Sequence, residues 1–188
     1  MKIIRSSKCY FSKWLTDKKK AEIKELLAEC ARVANYYVEH FEDKITSDTK
    51  KFDVLRGECF QEVIRNTETF LTSRLVQVAI SEAFSAIQSA KSNAKNREDN
   101  KYFRPVFYGK KLIIGPNCCE HSIANSTQAF DYNVILKCLR TDKGRGHKIS
   151  IPLKRHVQFN KWFNKGKICS SIVLTENYIM FSSRSQTL

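Results

Sequence analysis

The sequence contains no run of about 18 consecutive apolar residues, the length that a membrane-spanning helix requires. Its N-terminus, MKIIRSSKCYFSKWL, is basic but lacks the uninterrupted apolar stretch of a signal peptide. We therefore expect no membrane partner. The expected location is cytoplasmic and nucleoid-associated, or nuclear if the host is eukaryotic.

The chain also lacks any CxxC pair, and its seven cysteines are an odd number at irregular spacing. This pattern favours reduced thiols over a disulfide framework. Cys118, Cys119 and His121 are a partial set of metal ligands, but a closed zinc site needs four ligands and no second pair is apparent. We expect ordinary small apolar side chains at these cysteines and no metal site.

Carboxylates are scarce in the second half of the chain. From residue 101 onward the acids are Glu120, Asp131, Asp142 and Glu176, widely spaced and without a motif. Metal-dependent nucleases need several carboxylates that converge on one or two ions. The GRG at residues 144–146 is too short for a phosphate-binding loop and lacks the following Lys-Ser or Lys-Thr. The sequence therefore predicts no catalytic residue in this chain.

Positive charge, in contrast, is abundant. The 188 residues include 33 Lys and Arg against 19 Asp and Glu, which gives a formal net charge of +14, and 42% of the residues are hydrophobic. The chain can bury a core, and its charge attracts polyanions over the Debye length. Nucleic acid is the expected partner, and an acidic protein is the alternative.

The first hundred residues predict one strand followed by a helical block. Residues 2–14 look extended, with Tyr10 and Trp14 as inward or stacking side chains. Thr16 precedes a long helical pattern. The polar stretch DKITSDTKKFD reads as a loop, before a short amphipathic segment near residues 55–64. Thr67 or Thr69 is expected to cap a second long helix, antiparallel to the first.

After SNAKNREDNKYFRP the composition changes to glycine, proline and β-branched residues. KLIIG, HKISIPL, SSIVLTE and NYIMFSS are predicted strands, and the turns between them resemble those of a small barrel. In KISIPL, alternation places Ile149 and Ile151 on one face. The predicted organisation is an α+β chain: residues 1–15 and 101–188 form a β-barrel, and residues 16–100 form a helical domain.

Basic residues and aromatics on such a barrel suit nucleic acid, because lysines and arginines neutralise phosphates and rings stack on bases. Trp162, between Lys161 and Lys165, is the best single stacking candidate, although most aromatics of a small barrel belong to its core. A merely solvated face is the alternative for the helical candidates. The predicted nucleic-acid-binding residues are Arg74, Gln77, Lys101, Arg104, Lys110, Lys111, Arg145, Lys148, Lys154, Arg155, Lys161, Trp162, Lys165 and Lys167.

The order of these segments resembles the N-terminal half of the TnpB family, transposon-encoded RNA-guided nucleases related to type V CRISPR effectors. The resemblance rests on the basic opening strand, VANYYVEHF, LTSRLVQVAISEAFSAI, YFRPVFYGKK, HKISIPL and KICSSIVLTENYIMFSS. It implies a wedge domain, which is an oligonucleotide-binding-like β-barrel, with a helical recognition domain inserted in it. The implied partners are a guide RNA and the target DNA, and guide pairing supplies the sequence specificity.

Family nucleases continue after a strand like NYIMFSS into a RuvC domain, which carries the catalytic carboxylates and their magnesium. This sequence ends at SSRSQTL. The resemblance therefore implies a module that binds guide RNA and the guide–target duplex, without a cofactor of its own. The alternatives are a fragment or subunit of an active endonuclease, with a separate RuvC-containing chain or a second copy as partner, and a basic protein-interaction module.

Overall fold

The computed structural model describes residues 2–46, 49–96, 101–123, 130, 132–144, 146–157, 159–161 and 167–186. They divide into two compact units. We call Met1–Glu25 with Lys111–Leu188 the β unit, and Leu26–Lys110 the helical unit.

The described residues form helices and antiparallel strands, which confirms the α+β class. The elements in chain order are β1 (Lys2–Tyr10), α1 (Asp17–Phe41), a 3-10 helix (Glu42–Lys44), α2 (Lys51–Arg56), α3 (Glu58–Thr67), α4 (Ser73–Lys95), β2 (Lys111–Ile114), β3 (Cys119–Ile123), β4 (Tyr132–Lys137), β5 (Lys148–Leu153), β6 (Lys167–Thr175) and β7 (Tyr178–Gln186).

The larger sheet of the β unit has the strand order β1-β7-β6-β2. β1 pairs with β7 over its whole length, from Lys2 opposite Gln186 to Tyr10 opposite Tyr178. Side chains alternate between the two faces of a strand, so one row of the inner face crosses all four strands. That row is almost inaccessible to solvent and consists of Cys9, Ile179, Leu174 and Leu112.

The smaller sheet has the order β3-β4-β5. In β5, Ile149 and Ile151 are buried while Lys148 is exposed, as the alternation in KISIPL predicts. β4 shows the same alternation, with Tyr132 and Val134 buried. β4 and β5 therefore each turn one apolar side toward the core of the β unit.

An aromatic cluster joins the two sheets. Tyr132 of β4 contacts Phe181 of β7 and Phe159, with ring centroids 5.6 and 5.4 Å apart, and Phe159 lies 5.3 Å from Phe181. All three rings are buried and meet edge to face, the arrangement that aromatic pairs prefer. Phe159, which the sequence places among basic residues, therefore belongs to the core.

Among the described strands, the pairings give these two sheets and no closed barrel. The class is thus established, and the oligonucleotide-binding-like barrel is a finer expectation that the pairings do not decide.

In the helical unit, α1 and α4 run in the same direction. Thr69, just before α4, donates a hydrogen bond to Glu29 in the middle of α1 (2.5 Å). Lys91, near the end of α4, donates to the carbonyl oxygens of Glu42 and Ile45, which follow α1 (2.6 and 2.8 Å). The prediction that the two long helices are antiparallel is therefore wrong.

The chain returns from the end of α1 to the start of α4 through α2 and α3. Gln88 of α4 donates to the carbonyl of Thr49, and Gln77, about three turns earlier, donates to that of Leu55 (both 3.3 Å). α2 is therefore antiparallel to α4, and the stretch predicted as a loop and short amphipathic segment contains the 3-10 helix, α2 and α3.

The start of α4 was also predicted too early. The helix begins at Ser73 with Thr72 as its N-cap residue. Thr67 instead ends α3 and donates its hydroxyl to the carbonyl of Val63 (2.7 Å), while Thr69 is bonded to Glu29. Both hydroxyls have partners other than the first turn of α4, so neither caps it.

Residues 101–110 return along α1 and are called the strap. Tyr102 donates its hydroxyl to Glu42 (2.9 Å), and the Asn35 side chain exchanges two hydrogen bonds with the backbone of Phe107 (both 2.8 Å). At the end of the strap, Gly109 has a φ of +65°. A Cβ at this position would lie 3.0 Å from the Leu27 carbonyl oxygen.

We predict that Gly109→Ala destabilises the helical unit by about 1–3 kcal/mol, because a non-glycine residue is strained at this φ and the new methyl also meets the α1 backbone. Urea unfolding followed by circular dichroism at 222 nm measures the loss. Gly144→Ala is the matched control, since Gly144 has a similar φ of +78° but no atom within 4 Å of a new Cβ. An equal or larger loss in the control contradicts the close approach of strap and helix.

Candidate nucleic-acid interface

The net positive charge of the chain belongs almost entirely to the β unit. This unit holds 20 of the 33 Lys and Arg residues but only 7 of the 19 Asp and Glu, whereas the helical unit holds 13 and 12. The formal charges are +13 and +1. A polyanion is therefore attracted by the β unit and hardly at all by the net charge of the helical unit.

Most acids of the β unit are already neutralised within it. Five of the seven form ion pairs: Asp17 with Lys20, Glu22 with Lys143 and His147, Glu25 and Asp142 with Arg140, and Glu120 with Lys137. An acid that is paired at short range repels an incoming phosphate less than an isolated acid does.

Arg140 organises one part of this network. Its side chain is only 4% exposed and lies 2.5 Å from a Glu25 oxygen and 2.8 Å from an Asp142 oxygen. The hydrogen bonds to Asp142 and Glu25 raise the pKa of Arg140, and those from Arg140 lower the pKa of Asp142. Arg140 therefore holds the connection between β4 and β5 against the first turns of α1, and it is a structural residue.

Glu22 is the centre of a second part of the ion-pair network. It is buried, accepts a hydrogen bond from Lys143 (2.9 Å) and contacts the His147 ring. Burial by itself raises the pKa of Glu22, but the hydrogen bonds from Lys143 and His147 outweigh it, so the pKa is lowered. His147 is thus part of this ion-pair network.

The predicted binding residues fall in both units. Those in the β unit include the exposed side chains Lys111, Lys148, Lys154 and Lys161, together with the half-buried Arg155. Lys167 is the first residue of β6. The fold thus brings segments 111, 148–155, 161 and 167 into one compact unit. Arg145, Trp162 and Lys165 lie outside the described residues.

The remaining predicted residues are in the helical unit, on α4 and the strap. Arg74, Lys101 and Lys110 are exposed. Gln77 and Arg104 both have partners within this unit, the Leu55 carbonyl and the Glu42 carboxylate respectively. These two side chains therefore have a structural role there, whatever else they contact.

Two exposed rings in the β unit, which the sequence left as either inward or stacking, were not among the predicted binding residues. Tyr10 is 64% exposed and Trp14 is 53% exposed, and the Lys13 ammonium lies 5.2 Å from the Trp14 ring centre. The alternation of β1 could have identified Tyr10, since Lys8 is exposed and Cys9 buried, which puts Tyr10 on the outer face with Lys8.

His156 contributes to the packing of the segment after β5. Its Nε2 donates to the Lys8 carbonyl oxygen (2.7 Å), and its Nδ1 accepts from the Phe159 backbone (3.3 Å). Both ring nitrogens therefore have partners inside the protein, and the ring joins this segment to β1.

The cysteines and His121 show no arrangement for a metal. Cys118 and Cys119 are buried, and burial raises the pKa of Cys119 to about 11. His121 is hydrogen-bonded to the Tyr132 hydroxyl (2.6 Å), and burial lowers its pKa. In the part of the chain that the structure describes, no group of three or more His, Cys, Asp or Glu side chains could hold a metal ion.

Comparisons with known proteins identify no family for this chain. No protein-family model matches the chain, and no curated protein matches it. Among the described helices, none combines the length and apolar character needed to cross a membrane. The resemblance to the TnpB family therefore rests on the sequence segments alone.

We predict that Glu22→Gln lowers the stability of the β unit by about 1–3 kcal/mol at pH 7, because a neutral amide oxygen replaces the carboxylate that Lys143 and His147 share as acceptor. A carboxyl whose folded pKa is lowered stabilises the fold above its ordinary pKa, and that contribution disappears as the pH falls through the folded value. Wild-type protein should thus lose this contribution only as the pH falls below 4.5, the ordinary pKa of a glutamate side chain.

Thermal unfolding at several pH values measures this loss, and Glu22→Gln should show a smaller difference between neutral and acidic pH. Glu176→Gln, at an exposed turn of the same unit, is the control for a changed net charge. The same pH dependence in wild type and Glu22→Gln contradicts a lowered pKa at Glu22.

Proposed function

We propose that this chain is a nucleic-acid-binding module that holds a guide RNA and its duplex with target DNA in an RNA-guided DNA-targeting system. The observation that carries the proposal is the segregation of charge, with a formal +13 on the β unit and +1 on the helical unit. Such an excess on one compact unit suits a highly charged polyanion better than an acidic patch on a protein.

The kind of contact fits guided recognition. Exposed lysines such as Lys111, Lys148 and Lys154 bind phosphates without reading bases. In RNA-guided systems, base pairing with the guide supplies the sequence specificity, and the protein holds the backbone and shape of the duplex. A surface with many cations and few unpaired acids is sufficient for that task.

The connectivity supports the finer part of the proposal. β1 and β7 are neighbours in one sheet, and the helices α1 to α4 occur between β1 and β2 in the sequence. An insertion of a helical domain into a β domain requires this order. We therefore propose that the two sheets form a wedge barrel like that of the TnpB family, and that the helical unit is its recognition domain.

We place DNA cleavage outside this chain. Five of the seven acids of the β unit form ion pairs with lysines and arginines, whereas nuclease carboxylates must converge on metal ions. A RuvC domain, in a longer protein or a separate chain, would supply the magnesium site and the reaction. Holding the guide and the target is the function proposed for the residues described.

Replacing Lys148 and Lys154 together by Glu should weaken RNA binding and its salt dependence, because both exposed side chains are proposed phosphate contacts. Each lost contact should reduce the slope of log K against log salt concentration by about 0.7–0.9. Fluorescence anisotropy with a labelled RNA between low and moderate salt measures both quantities.

The matched control reverses two exposed charges of the helical unit, Lys50→Glu with Lys51→Glu. These changes alter the net charge equally and should leave the slope nearly unchanged. If the control lowers affinity and slope as much as the β-unit variant does, the affinity depends on the net charge of the whole chain. The β unit is then not the binding unit.

The guide itself is tested by the RNA that copurifies with the protein. We expect sequencing of that RNA to show one defined species with a constant part, since a guide is held through a constant scaffold. The contrary result is a mixture of cellular RNAs in proportion to their abundance, together with equal affinity for unrelated RNAs. This result contradicts a guide-binding function and indicates general RNA binding.

A further inference from the structure

The outer face of the larger sheet is accessible to solvent. One row across it consists of Lys8, Met180, Val173 and Ile113, which are paired in register on neighbouring strands. Met180 and Val173 are half-buried, and Ile113 is 46% exposed. These side chains are at least partly exposed to solvent, so a partner can contact this face.

The composition of this sheet is strongly biased. Its four strands, KIIRSSKCY, KLII, KICSSIVLT and YIMFSSRSQ, contain six Lys or Arg residues and no Asp or Glu. Outer positions near the ends of the strands carry Lys8 and Lys111, while Ser6 and Ser182 contact each other through their hydroxyls. The face thus combines cations, hydroxyls and apolar surface without a carboxylate on any of its strands.

Tyr10 is held in a fixed position on this face. Immediately after it, the Phe11 backbone donates to the Asn177 carbonyl (3.0 Å), and Ser12 donates to that of Pro152 (3.3 Å). Tyr178, directly opposite Tyr10, meets its ring edge to face with centroids 5.6 Å apart. Tyr10 is nevertheless 64% exposed, so this ring is both supported and accessible.

A cation lies beside the neighbouring ring of Tyr178. The Lys8 ammonium is 5.0 Å from the ring centre of Tyr178, within the range of a cation–π contact. Lys8 and Tyr10 are two residues apart on the same face of β1, which separates them by about 7 Å along the strand. A base stacked on Tyr10 would have its neighbouring phosphate within reach of the Lys8 side chain.

We propose that the outer face of this sheet binds an unpaired segment of nucleic acid, with a base stacked on Tyr10 and phosphates contacted by Lys8 and Lys111. This inference rests on the proposed function and adds to it that part of the bound nucleic acid is single-stranded. Tyr178 is a positioning residue that supports the Tyr10 ring.

Single strands fit this face better than duplexes or proteins do. Stacking needs an uncovered base, and in a duplex each base face is covered by its neighbours, whereas flat rings beside cations are the usual platform for single strands. A second copy of this chain is disfavoured, because a self-complementary contact would place the lysines of one face against those of the other.

The experiment compares Tyr10→Ala with wild type on two probes, a fluorescently labelled ten-nucleotide oligouridine and a labelled RNA duplex of equal phosphate content. We expect Tyr10→Ala to bind the oligouridine about tenfold more weakly and the duplex as wild type does. Tyr10→Phe keeps the ring and should bind both probes as wild type does, which separates stacking from the hydroxyl.

Tyr108→Ala is the matched control, since Tyr108 is an equally large and more exposed ring (76%) in the helical unit. An unchanged affinity of Tyr10→Ala for oligouridine, an equal loss with Tyr108→Ala, or an equal loss on the duplex overturns the inference. Sedimentation of wild type and Tyr10→Ala is measured in parallel. If wild type is a dimer and Tyr10→Ala is a monomer, the inference is overturned in favour of self-association.

The two proposals fail in different ways. If wild type binds the duplex but not oligouridine, this inference is wrong and the proposed function stands. If wild type binds neither probe, both are wrong.

Discussion

The pairing of β1 with β7 is the contact on which the rest of the structure depends. It joins residues 2–10 to residues 178–186 through nine cross-strand pairs, and so closes a loop that includes almost the whole chain. The entropic cost of closing a loop grows only slowly with its length, so a long ladder and a buried inner face can offset it. The inner row from Cys9 to Leu112 is complete only when β1 is in place.

The same pairing has an electrostatic consequence. It adds the basic residues of the opening strand to a unit whose later strands contain one acid, Glu120, while the nearly neutral helical unit lies between them in sequence. Glu22 and Glu25, near the start of α1, pair with Lys143 and Arg140, so several acids stabilise the β unit internally. The exposed cations that remain are the basis of the proposed nucleic-acid interface.

Local patterns predicted much of this fold. The class, α1 and the strands β1, β2, β5, β6 and β7 follow from alternation and helical spacing, because each of these elements buries one apolar side. β3 and β4 were not predicted, since CEHSI and the short YNVILK contain polar residues whose partners lie on neighbouring strands. The start of α4 depended on where Thr67 and Thr69 find their partners, which spacing along the chain does not reveal.

Of the candidate site, the sequence shows the cations and the scarcity of acids after residue 101, and it left open whether Tyr10 points inward. The central claim is that RNA binds the β unit through its exposed lysines. Chemical footprinting of lysines by mass spectrometry, with and without bound RNA, tests it most directly. The account predicts protection at Lys8, Lys111, Lys148 and Lys154 and unchanged reactivity at Lys50, Lys51 and Lys95. Equal protection of both groups, or protection of the helical unit alone, would contradict it.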